Sequence, residues 1–161
     1  VNPPLSGAIR RVYRGVEFRS TTEAKFAVFL DRLGIAWTYE PEGYSDGFHQ
    51  TVPDFWLPDL DAFVEVKHRG EYDAHKPRSV ARVTGVPVYV MVAPPWSPDG
   101  CALHRCAAVS GQLDDGAFAF ARTDVGGWCI RSGDSGDAAD DVLHAARAAH
   151  NFKFWDAAPA R

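Results

Sequence analysis

The chain of 161 residues is 46% hydrophobic and 24% charged, the composition of a globular domain long enough to bury a core of its own. A net charge of −4 argues against a basic nucleic-acid coat protein, and three cysteines, an odd number, give no disulfide framework and suit a reducing compartment. No apolar run approaches the roughly 18 residues of a membrane span, and the opening Val1-Asn2-Pro3-Pro4 lacks the basic-then-apolar pattern of a secretory leader, so a cytoplasmic protein is expected.

Residues 1–19 read as a lead-in, made locally basic by Arg10, Arg11, Arg14 and Arg19, with Val12, Tyr13, Val16 and Phe18 suited to a short strand. A helix is predicted over Thr21 to Leu33. Ser20 and Glu23 form a capping box, Phe26, Phe29, Leu30 and Leu33 keep helical spacing, and Gly34 stands at the C′ position. Ile35 to Tyr39 then reads as a strand, and residues 43–49 as a polar loop. A hairpin follows, with arms Thr51 to Leu57 and Ala62 to Lys67 around a turn at Pro58-Asp59-Leu60-Asp61. His68 to Asp73 is a charged loop, and a short helix is predicted from Pro77 to Val83. Val86 to Val92 reads as a buried strand, and Pro94 to Gly100 breaks the chain. Beyond it, strands are expected near 102–109, 117–122 and 128–131, and a final alanine-rich helix from Ala138 to His150. The order implies an α/β arrangement, an α+β mixed sheet with helices on its faces. The expected organisation is a lead-in (1–19), a core (20–93) and a C-terminal extension of short strands and a final helix (94–161).

The chemistry concentrates in the hairpin. Side chains alternate along a strand, so Glu65 and Lys67 share a face. A regular hairpin centred between Asp59 and Leu60 sets position 54 opposite position 65, which brings Asp54 beside Glu65. Two carboxylates directly opposite repel, and a divalent cation is the simplest offset. Magnesium takes one or two carboxylates and leaves its other positions to water and phosphate. A lysine on the same face can support the negative charge that develops when water attacks a phosphodiester.

Pro53-Asp54 followed by Glu65-Val66-Lys67 resembles the signature of the PD-(D/E)XK nuclease superfamily. Ser20-Thr21-Thr22-Glu23-Ala24, Trp37 to Gly43, Pro53 to Pro58 and the segment Lys76 to Val90 are similar to small phage-encoded nucleases of that superfamily, over about residues 12–93. The resemblance implies a restriction-endonuclease-like core of helix, three antiparallel strands, helix and strand. It implies magnesium or manganese dependence, with DNA cleaved to a 5′-phosphate and a 3′-hydroxyl. By position it makes Asp54 and Glu65 metal ligands, Lys67 the catalytic lysine and Glu23 the helix-borne acid that completes the metal site. His68 stands where those relatives commonly carry glycine, and with Lys76, Arg78 and Arg82 it is a candidate for phosphate contacts.

Each assignment has a plainer counterpart. Glu23 is also explained by the capping box, Glu40 and Glu42 by a solvated turn, the basic residues by a solvated helix face, and Trp37 and Trp56 by the core. Cys101, His104, Cys106 and Cys129 have the right chemistry for zinc but match no standard paired-knuckle spacing. Two rival functions remain open. One is a catalytically silent module of the same fold that grips nucleic acid or a host protein. The other is a subunit of a transposition or restriction complex, with a homodimer or partner surface in the C-terminal region. The acidic residues cluster at Asp114, Asp115, Asp134, Asp137, Asp140 and Asp141, so the N-terminal arginines and Lys76, Arg78 and Arg82 are expected to leave a locally basic route to the site.

Overall fold

The computed structural model describes residues 10–67, 73–97, 102–106, 113–133 and 135–154, without the side chains of 102 and 113–117. Among these residues the fold is a mixed α+β arrangement of eleven strands and three α-helices. A small antiparallel hairpin, β1 (Arg11–Tyr13) and β2 (Val16–Phe18), precedes α1 (Thr21–Leu33). Then come β3 (Thr38–Tyr39), β4 (Tyr44–Ser45), β5 (Gln50–Thr51), β6 (Phe55–Leu57), a 3-10 turn (Pro58–Leu60) and β7 (Ala62–Val66). After α2 (His75–Thr84) follow β8 (Val88–Ala93), β9 (Ala102–Cys106), β10 (Leu113–Arg122), β11 (Trp128–Ser132) and α3 (Ala139–Asn151).

Seven strands form the main sheet in the order β11-β10-β9-β8-β7-β6-β3, and β4 pairs with β5 apart from it. Every neighbouring pair in the main sheet is antiparallel except β7 and β8, which are parallel and joined through α2. The strands after residue 93 therefore extend the sheet that holds the hairpin.

The alternation along β6 and β7 sorts side chains to two faces. Phe55, Leu57, Ala62, Val64 and Val66 join Phe26, Phe29, Leu30 and Phe120 in the main core, against which α3 also packs. Trp56 and Phe63 point to the other face and join Val80, Ala81 and Val88 beneath α2. Ala145, Ala146 and Ala149 are buried where α3 meets α1, so the alanines of this helix serve close packing. No helix among the described residues is long and apolar enough to cross a membrane.

The first helix forms as its sequence predicts. Ser20 Oγ accepts a hydrogen bond from the Glu23 amide at 3.1 Å, and Gly34 ends the helix at φ 73°, a left-handed conformation that glycine adopts without strain. The amides of Gly34 and Ile35 then donate to Asp31 and Leu30, so the strand expected from Ile35 is confined to Thr38–Tyr39. The hairpin's first arm is also shorter than expected. Pro53 cannot donate to a ladder, and the run Thr51 to Leu57 divides there. Its first part pairs back onto β4, inside the stretch read as a loop. The second helix begins two residues before Pro77, because Asp73 Oδ1 accepts from the His75 amide at 2.9 Å. Pro77 then lies in the first turn, where its missing N–H costs nothing. Strand β10 starts earlier than 117. It runs through Asp114-Asp115-Gly116 with a register shift between Asp114 and Phe118.

Candidate active site

The register of β6 on β7 pairs Phe55 with Val64 and Leu57 with Ala62, and one further step sets Asp54 opposite Glu65. Asp54 itself lies at a bend just before β6. Two hydrogen bonds fix it there: the Glu40 amide donates to its carbonyl at 2.8 Å, and the Val66 amide donates to Oδ2 at 2.7 Å. Glu65 is central in the sheet, with Val90 of β8 as its register partner, and is only 3% exposed against 9% for Asp54. By the alternation along β7, Glu65 shares the face of Phe63, which packs beneath α2.

The lysines answer this concentration of negative charge. Lys67 Nζ donates to Glu65 Oε1 at 2.5 Å, and Lys76 Nζ from the first turn of α2 stands 3.9 Å from the same oxygen. Glu23 comes from the opposite side of the sheet, in the first turn of α1, with its Oε2 accepting a hydrogen bond from the Tyr39 hydroxyl at 2.6 Å. The cap uses only the backbone amide of Glu23; its carboxylate turns to the strand next to β6.

Electrostatics ties these groups together. Asp54 is held well above the ordinary carboxylate range, first by burial, then by the charge of Glu65 and further by that of Glu23. The Val66 amide and Lys67 act in the other direction and do not compensate. Burial and the bond to Glu23 push the Tyr39 hydroxyl up to about 12, so it stays a donor. The donor set is all oxygen, with Asp54 and Glu65 buried and Glu23 half-buried, and its charges repel one another, which fits a hard divalent cation such as magnesium or manganese.

Other sequence candidates separate. Lys76 reaches the site, whereas Arg78 acts electrostatically on Cys106 of β9, beyond β8, and Arg82 is exposed on the same helix. His68 lies outside the described residues. Glu40 pairs with Arg19 and Glu42 accepts from the Tyr44 hydroxyl at 2.9 Å. Trp37 and Trp56 pack on the two cores. The basic lead-in is largely neutralised, because Arg10 pairs with Glu17, Arg14 with Asp31 and Arg19 with Glu40. The zinc grouping fails. Cys106 pairs with Leu113 and Cys129 with Ala121, on either side of the Phe118–Leu103 pair and therefore about 20 Å apart along the strand direction. Cys101 lies outside the described residues.

One group escaped the sequence reading. The ligand atoms of Asp46, His49 and His75 lie within 4.8 Å of one another, between the β4–β5 hairpin and the start of α2. Asp46-x-x-His49 was the visible signal, but a loop of unknown path gives no reason to bring His75 to it. The Asp46 carboxyl is held well below the usual range by the amides of His49 and Phe48 and by the Ser79 hydroxyl. Comparison of the chain with family models, curated proteins and solved structures gives no match.

Proposed function

We propose that the protein is a metal-dependent nuclease of the restriction-endonuclease-like PD-(D/E)XK type, phage-encoded, hydrolysing DNA to a 5′-phosphate and a 3′-hydroxyl. The observation that carries this reading is the pair Asp54 and Glu65, two buried carboxylates opposite one another with Lys67 bound to one of them. A purely structural hairpin gains nothing from that arrangement.

Asp54, Glu65 and Glu23 would hold a magnesium or manganese ion. When bound, such an ion polarises a phosphoryl oxygen and makes water a better nucleophile. The chain's own residues supply the rest. The Val66 amide fixes the Asp54 carboxylate, and Tyr39 fixes that of Glu23. Lys67 and Lys76 stand ready to move their charge from Glu65 to a phosphate oxygen. Attack of water on phosphorus forms one P–O bond and breaks the bond to the 3′-oxygen, which takes up a proton. Lys67 stabilises the charge that develops between the two events.

The test is incubation of the protein with linear, circular, single-stranded and branched DNA, with magnesium or manganese. Metal-dependent cleavage is expected, reduced about 100-fold or more by Lys67→Ala. Absence of cleavage on every substrate, or undiminished cleavage by Lys67→Ala, overturns the assignment. The close Lys67–Glu65 ion pair also suits a silent nucleic-acid-binding module whose acids are balanced internally. Calorimetry separates the two, since a silent site takes up no magnesium or manganese through Asp54 and Glu65.

A further inference from the structure

The Asp46 group differs in chemistry from the carboxylate centre, being one carboxylate and two imidazoles. His49 Nδ1 is 3.8 Å from Asp46 Oδ1, and His75 Nε2 is 3.9 Å from Asp46 Oδ2. Neighbouring ligand atoms around a tetrahedral zinc ion lie roughly 3.4 Å apart. The three ligand atoms, one from each side chain, lie within 4.8 Å of one another, so the side chains enclose an ion once each pair closes by roughly 1.4 Å or less. The two imidazole rings meet edge to face, at 4.4 Å between centroids and 65° between planes.

The carboxylate at the centre of the group is set in advance. Its Oδ1 accepts hydrogen bonds from the amides of Phe48 at 2.9 Å and His49 at 2.8 Å. Its Oδ2 accepts from Ser79 Oγ at 2.9 Å, and Ser79 is 1% exposed on α2. Orientation of a ligand by a buried hydroxyl is the outer-sphere support that metal ligands receive in built sites. The histidine side chains are 60% and 45% exposed, which leaves an ion access from solvent and a fourth position for water.

We propose that Asp46, His49 and His75 bind a zinc-class divalent transition-metal ion and so tie the β4–β5 hairpin to the first turn of α2. Imidazole nitrogens favour zinc, cobalt or nickel over magnesium, so this ion is distinct from the one proposed for Asp54 and Glu65. The site adjoins the carboxylate centre in sequence as well as in space. Lys76, next to His75, is the residue of α2 that approaches Glu65. An ion on His75 fixes the helix turn from which Lys76 extends.

The experiment is titration of the full chain with zinc by calorimetry, and with cobalt by visible absorption. Both are done in a background carrying Asp54→Asn and Glu65→Gln, so that the carboxylate centre cannot contribute. One ion per chain is expected, with a cobalt spectrum that lacks a thiolate charge-transfer band. His49→Ala and His75→Ala should each weaken binding at least tenfold, and Ser79→Ala about tenfold. Both histidines are exposed enough for their variants to fold, which circular dichroism verifies. Zinc should raise the Tm of the parent and leave that of the His49→Ala His75→Ala double variant unchanged. Absence of zinc binding, binding that survives loss of both histidines, or a thiolate spectrum overturns the proposal. Loss of nuclease activity in the same background bears on the carboxylate centre alone.

Discussion

Asp54 and Asp46 are the same residue eight positions apart, and their surroundings treat them in opposite ways. Asp54 lies buried among other acids and is driven toward its protonated form. Asp46 lies at a hairpin end, where two amides and a hydroxyl stabilise its charge. The first environment is destabilising until a cation enters it. The second is already at rest, with two amides on Oδ1 and one hydroxyl on Oδ2. A carboxylate that the fold fails to satisfy and one that it satisfies completely can both be ligands, but only the first costs stability when nothing is bound.

The largest effect expected from this contrast is that of Asp54→Asn. The amide oxygen can still accept from Val66, while the charge facing Glu65 is gone. Metal-dependent cleavage should fall by about 1,000-fold or more. The metal-free protein should at the same time gain roughly 1–3 kcal/mol at pH 8, read as a higher denaturant midpoint. Asp46→Asn should do the reverse, lowering the midpoint and leaving cleavage by the carboxylate centre in place. Destabilisation by Asp54→Asn would remove the contrast.

Smaller, and readable without activity, is the pH dependence. A carboxyl whose folded pKa lies above its unfolded value favours the folded state at low pH and loses that advantage as pH rises. Asp54 is such a group. The metal-free protein should therefore lose stability from about pH 4 toward its raised value, and Asp54→Asn should flatten this slope. Asp46 is shifted down, so its contribution is present above about pH 4 and disappears as the solution becomes more acidic. Asp46→Asn should remove only that acid limb. Saturating magnesium should reduce the Asp54 slope and leave the Asp46 limb where it was.

The two aspartates also differ in how legible they were. The alternation around Glu65 and the symmetry of the turn set Asp54 opposite Glu65, which the observed register extends to. Hairpin geometry is local, so a few residues suffice to compute it. The first helix was legible for a similar reason, since Ser20, Glu23 and Gly34 mark its ends. The Asp46 group depended on α2 folding back over β4 and β5, a long-range packing that no local spacing encodes. The start of α2 was misplaced because Pro77 is a stronger visible mark than Asp73, whose carboxylate accepts from the His75 amide just ahead of the helix. Strand β10 was cut short because Asp114-Asp115-Gly116 has turn composition, and pairing with β9 overrode it. The basic character of the lead-in was legible, but not the acids that pair with Arg10, Arg14 and Arg19, which come from β2, α1 and the end of β3.

Tyr39→Phe gives the smallest effect and the finest test of the buried half of the contrast. Its hydroxyl donates to Glu23 and accepts from the Arg19 amide at 3.2 Å, so it links the start of α1 to β3 beside β6. The ring itself packs on Phe18 and Phe55 and is kept by the substitution. Loss of one hydrogen bond to a charged group costs about 1–2 kcal/mol when no water replaces it. Glu23 would then be free to change rotamer, and its charge would act less steadily on Asp54. If Glu23 serves the carboxylate centre, Tyr39→Phe should weaken magnesium binding several-fold while Ser20→Ala, which removes only the backbone cap, lowers stability by about 1 kcal/mol and leaves magnesium binding unchanged. Equal magnesium affinity in both variants would return Glu23 to the role of a helix cap and leave Asp54 and Glu65 as the ligands.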